Sequence, residues 1–580
     1  MAPHRQGAGL EHPRDARPSV DQLLGLRYPS RQTESIFEET AAILSSDTVM
    51  QLSLADRVRF VLYGVGAHYH ARLECVHHAF AEHAANRPDA VAVEHGEEKI
   101  TFRDLDRLSN TLAHDLRVRG VYPGQRVCLL VQRSIAMVVA ILGVLKAGAS
   151  YVPLDGGIAT DQTIKFVLED SGANLVLCLS SFSHRVPSHV ESISLEGFMQ
   201  RSGSHALPPI DHSFSDHEVY VIFTSGTTGK PKGVSISHRN VMNLLSLDPG
   251  KVGMRPGARV AQLLNIAFDM CAWEVLGSLI NGCTLCIRGK AREDWEAVLR
   301  TVDVVISTPT ILQCYRAEDY PNVRSVATAG EPCPQALADS WSRTANFFNS
   351  CGPTETTIVN TAEVHELGKP ISIGRPTPNN RVYILDQDLK PLPIGQVGVM
   401  WAAGRGISAG YLKRPDLNEE RFVPDPFARD GSCMFHTGDL GRWTEEGRLQ
   451  HHGRIDDQVK IKGFRVELDG VAAALQSYRE VTQAVALLVD KVLWGIICPS
   501  HLDLSAVRSA ASEVMPYYAV PTRFLPLDQL PKTKNGKVDK AFLRELICNS
   551  LSREASSSSS SKPQAPELAS RDPKPGNIIG

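Results

Sequence analysis

The chain is 580 residues long, 43% apolar and 22% charged, with a formal net charge of -3 at pH 7. That length holds more than one domain, and the composition is that of an ordinary soluble globular protein. So small a net charge excludes a general attraction to nucleic acid or anionic membrane, and twelve cysteines scattered without a framework suit a reducing cytosol.

In chain order, residues 1–50 are polar and proline-bearing, which predicts a loosely held extension and no secretory signal. Helical periodicity begins near Leu54, and the pair His77-His78 reads as helix surface. Strands are predicted at 88–93, 126–131, 175–178 and 302–306, separated by helix-length segments. The apolar run from Ile135 to Val144, stopped by Lys146, is too short to span a bilayer and reads as a core helix. Cys283 and Cys286 lie in an apolar run with no second pair, so they read as buried strand cysteines rather than zinc ligands. This alternation predicts an α/β architecture with parallel sheets. After Arg381, short runs punctuated by glycines predict a β-rich subdomain, and 457–550 reads as a compact last unit. Six serines at 556–561 and the prolines after them predict a disordered tail. The domains expected are a large core at 51–455, a small α+β unit at 456–550 and a tail at 551–580.

The most informative stretch is Tyr220-Val-Ile-Phe-Thr-Ser-Gly-Thr-Thr-Gly-Lys-Pro-Lys-Gly-Val234. An apolar strand runs into Thr224, Ser225, Gly226, Thr227, Thr228, Gly229, Lys230 and Lys232. Backbone N–H groups, hydroxyls and ammonium groups in such a loop can cradle a polyphosphate. It is not a Walker A loop, because Pro231 follows Lys230.

Further motifs follow in a fixed order. They are Leu145-Lys-Ala-Gly-Ala-Ser-Tyr-Val-Pro-Leu-Asp155, Phe268-Asp-Met-Cys-Ala-Trp-Glu274 and Asn349-Ser-Cys-Gly-Pro-Thr-Glu-Thr-Thr357. Then come Phe435-His-Thr-Gly-Asp-Leu-Gly-Arg-Trp443, Gly453-Arg-Ile-Asp-Asp-Gln-Val-Lys-Ile-Lys-Gly463 and Leu530-Pro-Lys-Thr-Lys-Asn-Gly-Lys-Val-Asp539. Over roughly residues 72 to 545 this set resembles the adenylation domains of nonribosomal peptide synthetases, within the superfamily of acyl-CoA synthetases and luciferases. The resemblance implies ATP-dependent activation of a carboxylic acid to an acyl-adenylate, then transfer to a thiol. A carboxylate is already ionised at neutral pH, so no nucleophile-activating triad is needed. Positioning and charge neutralisation suffice.

Carried over residue by residue, the resemblance implies that Thr224 to Lys232 hold the β- and γ-phosphates. It places Thr354 at the α-phosphate, Glu355 on Mg²⁺ and Asp439 on the ribose hydroxyls. Arg454 adds a ribose or phosphate contact, and Cys351 with Gly352 lies at the adenine. Lys537 reaches both the substrate carboxylate and the α-phosphate. Asp456 resembles the family's hinge, about which the C-terminal unit presents first Lys537 and then the Lys460 strand.

Asp269 is implied to pair with a substrate α-ammonium group. The rest of the pocket would be Met270, Trp273, Ile311 and Ala327, with Ala329, Ser350, Ile358 and Val359. With no further fixed charge it selects an apolar side chain, an aromatic one narrowly ahead of an aliphatic one. Cys351 departs from the aromatic residue usual at its position, which weakens stacking on adenine. No Gly-Gly-x-Ser attachment site is present, so the thiol is expected on the phosphopantetheine of a carrier domain, either serving in trans or lost from the chain by truncation, the enzyme itself being a monomer. Two other readings stay open: an acyl- or aryl-CoA ligase, and a degenerate nucleotide-binding module.

Overall fold

Glycine and proline punctuate the chain into elements that a computed structural model describes at residues 40–201, 207–226, 230–461, 463–533 and 538–558. Among these residues two large sheets lie side by side. One has six strands, in the order Glu191–Ser194, Leu175–Cys178, Arg126–Val131, Ser150–Asp155, Glu218–Thr224 and Lys232–Ser237, all parallel except the last pair. The other has nine, with a parallel centre at Asn346–Cys351, Ser325–Thr328, Val304–Ser307, Arg259–Gln262, Thr284–Ile287 and Val91–His95. Strands Arg126–Val131 and Leu175–Cys178 fall where the sequence places them, because apolar runs bounded by polar residues fit a sheet covered on both faces.

Between the sheets lies a continuous apolar core, with the helix Ile135–Lys146 near its middle. Ser134 caps that helix by accepting a bond from the Met137 N–H at 3.1 Å. Every residue of it is buried, including Lys146, which the sequence suggested as the polar stop. Its Nζ donates to Asp106 Oδ1, Ser109 Oγ and Asn110 Oδ1 at 2.7–2.8 Å, so burial leaves no donor stranded. Cys283 and Cys286 are buried beside and within a strand of the nine-stranded sheet, as expected.

The β-rich subdomain is a five-stranded antiparallel sheet spanning Asn380–Leu385 to Leu449–Arg454. Against it pack Ile43, Val49 and Phe60, so residues 40–50 are not the loose segment that their composition suggested. The remainder of the expected extension lies outside the described residues. From Gln458 onward a two-stranded hairpin, a three-stranded sheet and helices Leu468–Leu475, Leu504–Val514 and Lys540–Ser558 build around cores of their own. The last helix reaches into the first serines of the expected tail; residues 559–580 lie outside the described residues. No described helix is long and apolar enough to cross a membrane.

Candidate active site

The carboxyl ends of strands from both sheets converge on one cleft, the usual place for a site in α/β folds. Thr224 ends its strand and faces Lys232 across the hairpin. Lys232 is buried, with Nζ 4.8 Å from the centre of the Tyr411 ring. Burial first, and Arg465 second, push its pKa down to about 8. Lys230 is exposed. Thr227, Thr228 and Gly229 lie outside the described residues, as does Lys537.

Glu355 sits in the turn Thr354–Thr356 and is fully buried. Both its oxygens lie 2.9 Å from Arg465 Nη1, and Oε1 accepts from the Tyr411 hydroxyl at 2.6 Å. Burial alone would favour the neutral acid; Arg465 and Lys232 outweigh it and hold the pKa at about 2. Past this turn Thr357 and Ile358 adopt φ of 62° and 69°. A β-branched residue there is strained, and such strain collects at sites that need a fixed shape. The same bend brings Val359 against Gly352, where an added Cβ would stand 2.5 Å from the Val359 Cα. Only glycine fits.

Asp439 is buried and accepts from Arg454 Nη1 at 2.8 Å, with His451 Nε2 at 3.2 Å. Burial raises its pKa, but the His451 hydrogen bond and Arg454 bring it below the ordinary value. Cys351 and Gly352 line one small cavity with Asp439 and Thr437. Burial and the Asp439 charge push the Cys351 thiol up to about 12, so it is a neutral, packed group. Arg454 also grips Asp456 through two bonds of 2.7 Å.

Asp269 opens the helix Asp269–Ile280, and burial raises its pKa against the opposing pull of a Thr354 hydrogen bond and the Lys460 charge. Met270, Ala327, Ala329, Ile358 and Val359 are buried around it and Ile311 is half-buried. Trp273 is buried with its Nε1 donating to the Gly250 carbonyl at 2.7 Å, which spends its polar edge on the core behind the pocket. Ser350 Oγ is buried and has no hydrogen-bond partner among the described residues.

The hairpin of Gln458–Ile461 and Phe464–Glu467 enters this cleft from the C-terminal unit. Ser225 Oγ donates to the Arg465 carbonyl at 2.8 Å, and the Phe464 ring meets Phe268 edge-on at 4.5 Å. Lys460 lies in the charge field of Asp269 and Asp439, its pKa lowered first by burial and then by Arg465. Arg465, Tyr411 and His451 were missed by the sequence reading. Arg465 is 110 residues from Glu355, and nothing local to His451 marks it as the partner of Asp439, which meets it only by strand pairing. His77, expected on a helix surface, is buried. Its ring turns inward toward His238, 5.3 Å between centroids.

The AMP-binding enzyme family matches residues 80–412. Adenylate-forming reductase 03009 of Coprinopsis cinerea is 52% identical over 88% of this chain and 50% of its own length; a second reductase of that fungus, 06235, matches equally well. The nonribosomal peptide synthetase sirP of Leptosphaeria maculans is 33% identical over 90% of this chain and 24% of its own. The chain thus spans about half the length, or less, of these curated relatives. An adenylation–carrier fusion from Klebsiella oxytoca, NpsA-ThdA, shares the fold with a TM-score of 0.73 at 22% identity, over 84% of this chain and 98% of that one.

Proposed function

Since this chain belongs to the AMP-binding enzyme family and has the adenylation-domain fold, we propose that it activates an α-amino acid with ATP and passes it to a carrier thiol. The observation that carries the reading is the company kept by Asp269. A buried carboxylate stands among mostly apolar side chains, hydrogen-bonded by Thr354 and in the field of the ionised Glu355. Such a carboxylate is costly unless a cation meets it, and an α-ammonium group supplies one.

In the proposed reaction a substrate carboxylate oxygen attacks the α-phosphorus of ATP. An O–P bond forms, and the bond to the departing pyrophosphate breaks with its electron pair on the leaving oxygen. Lys232 and the hydroxyls beside it neutralise the leaving group, Thr354 orients the α-phosphate and Asp439 holds the ribose. Lys537 meets the charge gathering between carboxylate and α-phosphate. Glu355 fits Mg²⁺, being buried and ionised with a cation on a neighbouring hairpin as its direct ionic partner; the metal would screen the phosphates and polarise them. The Lys460 hairpin seated in the cleft suits the second step, in which the carrier thiol attacks the acyl carbonyl and AMP leaves. An apolar, ring-bearing amino acid remains the preferred substrate. By analogy with the Coprinopsis relatives, named as reductases, the thioester would then be reduced by a further catalytic unit, a hydride donor supplying the electrons and the carrier thiol leaving.

Exchange of labelled pyrophosphate into ATP, run against a panel of acids, tests this. Exchange dependent on an apolar amino acid is expected. Exchange with aryl or fatty acids alone would put the chain among acid–CoA ligases, and ATP binding without any exchange would make it a degenerate nucleotide-binding module.

A further inference from the structure

Away from the cleft, two histidines and one carboxylate meet where the segment before the phosphate hairpin crosses the helix Val76–Asn86. His77 Nε2 lies 3.1 Å from Asp211 Oδ2, and His78 Nε2 also contacts that oxygen. All three ligand atoms fall within 4.8 Å of one another. Ligands bound about 2.0–2.1 Å from a tetrahedral zinc stand roughly 3.3 Å apart; the His77–Asp211 separation is close to that edge, and a small rotation of the half-exposed His78 ring away from Asp211 would open the second. We propose that His77, His78 and Asp211 bind a borderline-soft divalent cation, zinc by type, that fastens the segment entering strand Glu218–Thr224 to this helix.

Two further features support the assignment. The donor set, two imidazoles and one carboxylate, suits zinc and its neighbours better than magnesium or calcium. A cavity of about 460 Å³, bordered by both histidines and Asp211, leaves room for the water that completes a three-ligand site. His238 is not a fourth ligand through Nδ1, since that atom accepts from the Val76 N–H at 3.2 Å.

The competing account is a plain hydrogen-bonded clip, Asp211 holding both rings with no ion. Chelator-treated full-length protein titrated with Zn²⁺ by calorimetry, and with Co²⁺ by visible absorption, separates the two. His78→Gln and Asp211→Asn change a half-exposed and a partly exposed side chain and leave buried His77 in place. One equivalent of Zn²⁺ is expected, with a Co²⁺ d–d band and a rise in Tm on Zn²⁺ addition. Both variants should bind at least tenfold more weakly and lose the band. Equal Zn²⁺ binding by wild type and variants would trace the metal to exposed cysteines such as Cys314, Cys433 and Cys548 and overturn the site. So would a fall in metal-free Tm in the variants with no Zn²⁺ effect in wild type.

Discussion

Two glutamates with no exposed surface titrate in opposite directions, and their partners decide it. Glu355 faces Arg465 and Lys232 and is held at about 2. Burial dominates at Glu274, whose oxygens accept from the N–H groups of Leu263 and Leu264 and from Gln262 Nε2 at 2.8–3.2 Å, with no cation in direct contact among the described residues; its pKa rises to about 8. Dipoles alone do not repay the loss of water around a charge. The folded state therefore binds a proton that the unfolded chain, with an ordinary glutamate pKa near 4.3, has already released. This contribution to stability is complete below about pH 4.3 and is lost as pH rises toward about 8. Glu274→Gln keeps the shape and has no proton to lose. The wild type should thus be most stable relative to this variant at about pH 4 and lose that advantage steadily by pH 8, read as the gap between denaturant midpoints. A gap that widens with pH would show Glu274 ionised in the fold.

At the scale of elements, the Lys460 hairpin joins the two parts of the site. Its turn passes through Gly463 at φ +84°, where an added Cβ would lie 2.8 Å from Thr308 Cγ2. Valine there is strained in the left-handed region and also collides with Thr308. Gly463→Val should keep the hairpin out of the cleft. Loading of a carrier thiol is expected to fall at least tenfold, while pyrophosphate exchange stays within about twofold. A parallel loss of both would mean that the hairpin serves both half-reactions or that the fold is damaged. This hairpin also marks the limit of what could be read from sequence. Strands such as Arg126–Val131 were legible because an apolar run bounded by polar residues has one stable use, and the cleft was legible because Asp269, Thr354 and Glu355 sit in contiguous motifs. The pairing of Arg465 with Glu355 was not, since no local pattern says which carboxylate a distant guanidinium will meet. Lys146 misled for a related reason: its acceptors lie on the preceding helix.

For the whole molecule, the Arg465–Glu355 pair makes the position of the C-terminal unit depend on what fills the cleft. If Glu355 is the Mg²⁺ ligand, as proposed, Arg465 and the metal compete for the same two oxygens. The hairpin-in arrangement then excludes Mg²⁺·ATP, and by linkage Mg²⁺·ATP expels the hairpin with the same coupling free energy. Beside Asp456, the proposed hinge, the unit is tied by Arg454 through two bonds of 2.7 Å in a partly buried pair, and by Lys540 to Asp457 at 2.5 Å nearer the surface, where an exposed pair is worth about 0–1 kcal/mol and yields first. An acyl-adenylate, having no β- or γ-phosphate, brings no metal to Glu355 and leaves the hairpin seated. Hydrogen exchange of residues 458–467 should therefore quicken with Mg²⁺ and a non-hydrolysable ATP analogue, and stay slow with a sulfamoyl-adenosine mimic of the adenylate. Arg465→Met should raise exchange in every state and remove the difference between ligands. Equal protection with both ligands in the unaltered chain would detach the movement from Glu355 and place its control elsewhere in the fold.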